Sequence, residues 1–268
     1  MCKLSIISIN RNNADGLRKT IESVVSQTFT DFEYIVIDGA STDGSVDIIK
    51  QYSGRITYWV SEPDKGIYNA MNKGILKATG EYCLFLNSGD WLVNENILSD
   101  IKFYQRIEDI IYGNLIYLYN DKDPSTMFGI IETEITFYNF FATQSIPHQA
   151  AFIKRALFEK YGLYDESYSV VSDWLFFVKT IIFGNVSLKY ININITNFDP
   201  YGISSLSHTY TIEGDKAMEN TLPSRILKDY ENFKYTIEEN IELKKNIARL
   251  NHRFKLLDKL ITYAKKQF

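Results

Sequence analysis

Between residues 4 and 87, short β-branched runs alternate with stretches of helical periodicity, and this alternation constrains the fold more than any other feature. LSIISI (4–9) reads as a strand, and GLRKTIESVVSQ (16–27) reads as a helix with Leu17, Ile21, Val24 and Val25 on one face. EYIVID (33–38) is the next strand, GASTDG a turn, and SVDIIKQY a helix with Val46 and Ile49 facing inward. The pattern returns as TYWVS, the turn EPDKG, the helix IYNAMNKGILKA and the strand YCLFLN. Strands joined through helices pair in parallel, so the predicted class is α/β, with a mainly parallel central sheet flanked by helices. Beyond Asp90 a mixed arrangement is expected. IIYGNLIYLY (110–119) and HQAAFIK (148–154) read as strands, and SDWLFFVKTIIF (172–183) as a helix starting at Ser172 or Asp173.

Several function classes lose their support. SINRNNADG follows the first strand without the glycine pattern of a dinucleotide site, and neither a GxxxxGK[ST] loop nor a GxSxG elbow occurs. Cys2 and Cys83 are the only cysteines, too few for a disulfide framework or a Cys-rich zinc site. With no apolar leader in MCKLSIISIN and no stretch of membrane-spanning length, a cytoplasmic location is expected.

Charge is unevenly distributed. Residues 243–268 hold eight Lys/Arg against Asp258 alone, leaving 21 basic and 32 acidic residues upstream. In that tail Leu243, Ile247, Leu250, Phe254, Leu257, Ile261, Ala264 and Phe268 alternate spacings of four and three, a heptad seam on a helix free of Pro and Gly.

Three acids follow three predicted strands: Asp38 after EYIVI, Asp64 after TYWVSEP, and Asp90 after the apolar run CLFLNSG, where it looks exposed. In a parallel sheet all three share the edge at which open α/β sheets bind ligands. Each is also suited to capping a helix or closing a turn. Asp173 has a similar double reading, as a chemical group or as an acid stabilised by a helix N-terminus.

The blocks SIISINRNNADGLRKTIESVVSQTFTDFEYIVIDGASTDGSVDII and EPDKGIYNAMNKGILKATGEYCLFLNSGD resemble the nucleotide-binding half of the family 2 inverting glycosyltransferases of bacterial polysaccharide biosynthesis, which have the GT-A fold. The resemblance covers residues 3–92 and continues more weakly through HQAAFIKRALFEKYGLYDESYSVVSDWLFF (148–177). It implies a nucleotide-diphospho-sugar transferase with a C-terminal helical extension. The domains expected are 1–222, comprising a nucleotide-binding half (1–92) and an acceptor half (93–222), and a basic amphipathic helical tail, 223–268.

Carried over position by position, the resemblance places Ile9, Asn10 and Arg11 against the nucleobase. It makes Asp38 the acid that recognises uracil, and Asp64 and Lys65 part of the segment that closes over base and ribose. Asn87 and Ser88 lie beside the donor, and Asp90 is the last acid of the metal-binding D-x-D region. Asp173 becomes the catalytic base, with Trp174 as an apolar sugar platform and His148 as a diphosphate or acceptor contact, although a lone His is also often structural. Two departures stand out: Arg11 replaces a common tyrosine, and the D-x-D cluster is reduced to NSGD with one carboxylate. One or two carboxylates plus substrate phosphates are sufficient to hold a divalent cation, Mg or Mn.

The expected reaction is metal-dependent, inverting transfer from a nucleotide sugar, UDP-linked, to a hydroxyl of a glycan or lipid-linked acceptor. A sugar nucleotidyltransferase and a non-catalytic sugar-binding protein are the alternatives. The tail is expected to form a homodimer, to lie on an anionic membrane surface, or to pack on its own domain; nucleic acid is not an expected partner.

Overall fold

The computed structural model describes residues 2–118, 125–127, 135–142, 145–200 and 207–265. They belong to two compact units, Met1–Ala217 and Met218–Phe268. The first is built on β1 (Leu4–Asn10), all of whose residues are buried, and on β2 (Phe32–Asp38) and β4 (Tyr82–Phe85), which are nearly so. Strands apolar on both faces need cover on both faces, which parallel connections through helices supply. The remaining strands are β3 (Tyr58–Ser61), β5 (Trp91–Leu92), β6 (Ile110–Tyr117), β7 (Ser125–Met127), β8 (Ala151–Lys154) and β9 (Leu188–Phe198). Their order is β3-β2-β1-β4-β8-β6-β9-β5, with β7 beside β6.

The expected parallel core comprises β3, β2, β1 and β4. At β8 the direction reverses, since β8 is antiparallel to both β4 and β6. The second half is mixed: β6 pairs parallel with β9, while β5 and β7 join antiparallel. This reversal matters for the site. It brings the segment entering β8 to the same edge as the chain leaving β4.

Helices α1 (Ala14–Val25), α2 (Ser45–Gln51) and α3 (Ile67–Lys77) make the crossovers. The Asn13 side chain caps α1 by accepting from Gly16 N at 3.1 Å, so the helix begins two residues before the position predicted. Leu17, Ile21 and Val24 enter the core with Leu4, Ile6, Tyr34 and Leu84, whereas Val25 is only partly buried. Fully burying such side chains stabilises by about 1.5–3 kcal/mol each. On α2 the inward residues are Ser45, Ile48 and Ile49; Val46, expected inside, is half-buried because the helix is rotated to seat Ile48.

Downstream lie α4 (Ile97–Asp100), α5 (Phe137–Ala142), α6 (Arg155–Tyr161), α7 (Ser172–Phe177), α8 (Ser207–Thr221) and α9 (Ser224–Lys265). The helix predicted over 172–183 is α7 continued by a π-helical segment, Val178–Phe183. The 42-residue α9 carries the predicted seam, of which Leu243, Ile247 and Leu250 are about half exposed. The side chains of Phe254, Leu257, Ile261, Ala264 and Phe268 lie outside the described residues. Among the described residues no helix is long and apolar enough to cross a membrane.

Candidate active site

The parallel register aligns Asn10 with Asp38 at the carboxyl ends of β1 and β2. Asp38 is wholly buried, and four donors converge on it. Oδ1 accepts from Asn10 Nδ2 at 2.7 Å and Ser41 Oγ at 2.6 Å, while Oδ2 accepts from Ser41 N at 3.0 Å and Ser61 Oγ at 2.6 Å. The carboxylate's acceptor capacity is thus taken up inside the protein. What remains open is the other end of the neighbouring amide: Asn10 Oδ1 is buried with no hydrogen-bond partner. Ile9, next along β1, is a buried strand residue paired with Ile37.

Arg11 and Asp64 both approach Gly39. A Cβ on Gly39 would meet the Asp64 carboxylate and lie 3.4 Å from Arg11 Cδ, so a side chain there would have to displace the Asp64 carboxylate. Asp64 Oδ1 accepts from Gly66 N at 3.0 Å, closing the turn before α3, and Lys65 beside it is exposed.

At the end of β4 the turn Asn87–Asp90 is fastened to α1. Thr20 Oγ1 donates to the Asp90 carbonyl at 2.7 Å and accepts from Gly89 N at 3.1 Å. Asn13 Nδ2 donates to the Ser88 carbonyl at 3.0 Å. Gly89 has φ +107°, a backbone state that a side chain would strain. Asp90, expected to be exposed, is 4% exposed, because the end of β9 crosses in front of it and Asp199 N reaches its Oδ1 at 3.3 Å. Burial pushes the Asp90 carboxyl up to about 7, against the lowering influence of His148 and of the Asp199 amide.

These residues fit a hard divalent cation. They offer oxygens only: a buried Asp90 carboxylate, the Asp199 carboxylate lying against Gly89, and a buried Asn87 Oδ1 without a donor. Among the described residues no group of three or more His, Cys, Asp or Glu is gathered closely enough to hold an ion alone. A cation at Asp90 would therefore need phosphate oxygens to complete its shell.

The third component comes from the second half of the chain. His148 opens a 3-10 turn, His148–Ala150, before β8, and Asp173 lies in the first turn of α7. His148 Nδ1 is 2.7 Å from Asp173 Oδ2, and the Tyr68 hydroxyl donates to Asp173 Oδ1 at 2.6 Å. Burial raises the Asp173 carboxyl. The His148 charge and hydrogen bond, the Tyr68 hydroxyl and the Trp174 amide nonetheless hold it below the usual carboxylate range. His148 lowers both the Asp90 and the Asp173 carboxyl. Trp174 is 8% exposed, so little of its indole is left to form a sugar platform.

Sequence reasoning missed Tyr68, Ser41, Ser61, Thr20 and Asp199. Ser41 and Tyr68 stand inside the segments GASTDG and GIYNAM, but neither carries a charge that would have drawn notice.

A parallel α/β half whose strand ends present a buried amide–carboxylate pair and a cation-suited turn, joined to an acid–imidazole pair, is the layout of a nucleotide-sugar transferase. Residues 5–162 match the family described as glycosyl transferase family 2, and the chain belongs to that family. A Mycobacterium bovis protein named PGL/p-HBAD biosynthesis glycosyltransferase is 31% identical over 82% of this chain and 83% of its own. A glycosyltransferase of Streptococcus pneumoniae is 32% identical over 48% of this chain and 19% of its own.

Among solved structures, S. aureus TarS shares the fold with a TM-score of 0.61 at 20% identity, over 74% of this chain and 36% of TarS. The mannosyltransferase PcManGT of Pyrobaculum calidifontis, solved with GDP-Man and Mn2+, gives 0.55 at 18%, over 74% of this chain and 56% of its own. The chain thus spans about a third of the length of TarS.

Proposed function

We propose that this glycosyltransferase moves a sugar, with inversion, from a UDP-sugar to a hydroxyl of a glycan or lipid-linked acceptor, using a divalent cation. The observation that carries this reading is the pairing of Asn10 with Asp38 at the carboxyl ends of β1 and β2, with the Asn87–Asp90 turn leaving β4 and His148, bonded to Asp173, at the entry to β8. The base and ribose lie over Asn10, Arg11, Asp38, Asp64 and Lys65, and the diphosphate beside Asn87, Ser88 and Asp90. Proton removal from the acceptor centres on Asp173. In one displacement the acceptor oxygen bonds to the anomeric carbon while the bond to the diphosphate breaks, its electron pair leaving with UDP. A cation held by Asp90 supplies Lewis-acid neutralisation of that leaving charge. Incubation with UDP-sugars and Mg2+ or Mn2+ tests the reading: free UDP supports it, whereas pyrophosphate release or binding without turnover counts against it.

Base choice follows from the free acceptor at Asn10. Uracil carries an N–H at position 3 where cytosine carries a lone pair, so an acceptor held in place by Asp38 favours uracil. The complex of TarS with UDP-GlcNAc is consistent with a UDP donor. Calorimetry should show UDP binding more tightly than GDP or CDP, and equal affinities would remove the assignment.

For the tail we propose self-association or contact with an anionic bilayer, on the exposed Leu243, Ile247 and Leu250 of α9 and the basic residues that the sequence places around them. Deleting 243–268 should lower the mass seen in light scattering or reduce co-sedimentation with anionic liposomes, with UDP binding spared. If neither association changes, the tail serves the fold alone.

A further inference from the structure

One side of α3 is stitched to the segment that leads into α7. Asn72, 4% exposed, donates from Nδ2 to the Tyr164 carbonyl at 2.9 Å and accepts from Tyr164 N at 3.0 Å. The same amide and that of Asn69 donate to Glu166, each at 2.9 Å. Tyr68, one turn before Asn72, is 5% exposed, with its ring 5.6 Å from that of Tyr164. Its hydroxyl donates to Asp173 Oδ1 at 2.6 Å, and His148 Nδ1 stands 2.7 Å from Oδ2. A carboxylate has about four lone-pair sites. Two contacts on different oxygens therefore fix its plane and leave a second lone pair on each oxygen, and the side chain keeps 18% of its surface open.

We propose that Tyr68 is a positioning residue for the reaction, its hydroxyl keeping the Asp173 carboxylate ionised and in one orientation. The proposal rests on the transferase reading above, in which Asp173 takes the acceptor's proton, and adds to it a residue that acts through Asp173. A hydroxyl donated to a carboxylate favours the charged form, which is the form able to receive a proton. Burial raises the Asp173 carboxyl, while His148, the Tyr68 hydroxyl and the Trp174 amide hold it below the usual range. The titratable groups facing it are His148 from the turn before β8, Tyr68 from α3 and Tyr164 from the segment before α7. The Tyr164 hydroxyl is buried and makes no hydrogen bond among the described residues, so Tyr68 supplies the O–H. Burial and the Asp173 charge push the Tyr68 hydroxyl well above its ordinary value, so it stays a neutral donor near neutral pH. Because α3 starts just past Asp64 and Lys65, the helix that leaves the segment assigned to base and ribose also fixes the acid on the acceptor side.

The experiment uses the full chain with Mn2+ and the UDP-sugar that the native chain turns over fastest, UDP release being the rate measured. Tyr68→Phe keeps the ring and its packing on Tyr164 and removes one oxygen. It should lower kcat about 10-fold, the worth of a hydrogen bond to a charged group, with calorimetric UDP affinity unchanged. In an Asp173→Asn chain the same change should cost less than about 2-fold, since the hydroxyl acts through the carboxylate. With aspartate carboxyls labelled with carbon-13, the signal missing from Asp173→Asn should titrate at a higher pH in Tyr68→Phe than in the native chain. Native kcat in Tyr68→Phe, an equal loss in both backgrounds, an unmoved titration, or UDP affinity falling with kcat each overturns the proposal. So does a Tyr68→Phe chain that does not fold, because the bond then serves the fold alone. The titration needs no substrate, so failure of the transferase reading shows separately, as a native chain that releases no UDP from any UDP-sugar. Native turnover by Asp173→Asn overturns the proposal together with the base on which it rests.

Discussion

Replacing Asp173 with Asn should lower sugar transfer about 10²–10⁴-fold while leaving UDP-sugar affinity intact. The amide keeps the volume and still accepts from Tyr68, so the fold around α7 is retained. It cannot, however, take up the acceptor's proton. The donor contacts proposed above lie at the ends of β1 and β2, before α3 and in the turn after β4, and do not include Asp173, so the loss should appear in kcat and not in donor binding. Initial rates set beside calorimetry check this. Transfer near the native rate, or donor affinity falling together with activity, removes Asp173 from the acceptor side of the reaction.

Asp90→Asn should abolish cation-dependent turnover. Asp90 is the only charge in NSGD, and the amide preserves its shape while removing the anionic oxygen that a hard cation requires. The variant also separates function from stability. Because burial already pushes this carboxyl up to about 7, a neutral side chain there relieves a desolvation cost, and the variant should melt no lower than the native chain. Full activity in excess EDTA, or an active Asp90→Asn enzyme, would end the cation assignment.

The parallel core was legible because its signals are local. Each of β1, β2 and β4 is a short apolar run bounded by turn residues, and family resemblance then placed Asp38, Asp64, Asp90 and Asp173. The misses share a non-local cause. Asp90 looked exposed because nothing near it in sequence covers it; the cover comes from Asp199, 109 residues later. Tyr68 reaches Asp173 across 105 residues, a contact that no spacing rule encodes. Asp38 looked free to bind a base, but two serine hydroxyls and an amide, all residues common in turns and strand ends, satisfy it from three segments. β9 is a different case: ININIT alternates with period two, yet the strand was missed in the sequence, and its pairing with β6 is interrupted by bulges. The two-residue β5 is too short to leave a pattern.

Thr20 has a consequence for how the enzyme meets its donor. A single hydroxyl on α1 bonds to the Asp90 carbonyl and the Gly89 amide, so the turn bearing Asp90, the acid proposed to hold a cation, is fastened to the helix. Its ordering entropy is spent during folding and not at the encounter with substrate. By contrast Glu62, Pro63, Lys65 and Gly66, between β3 and α3, stand exposed. The segment is nonetheless held from below, by Glu62 N on the Asp38 carbonyl at 2.9 Å and by Lys73 on the Glu62 carboxylate at 2.8 Å, so both edges of the cleft are braced by the helices that follow β1 and β3.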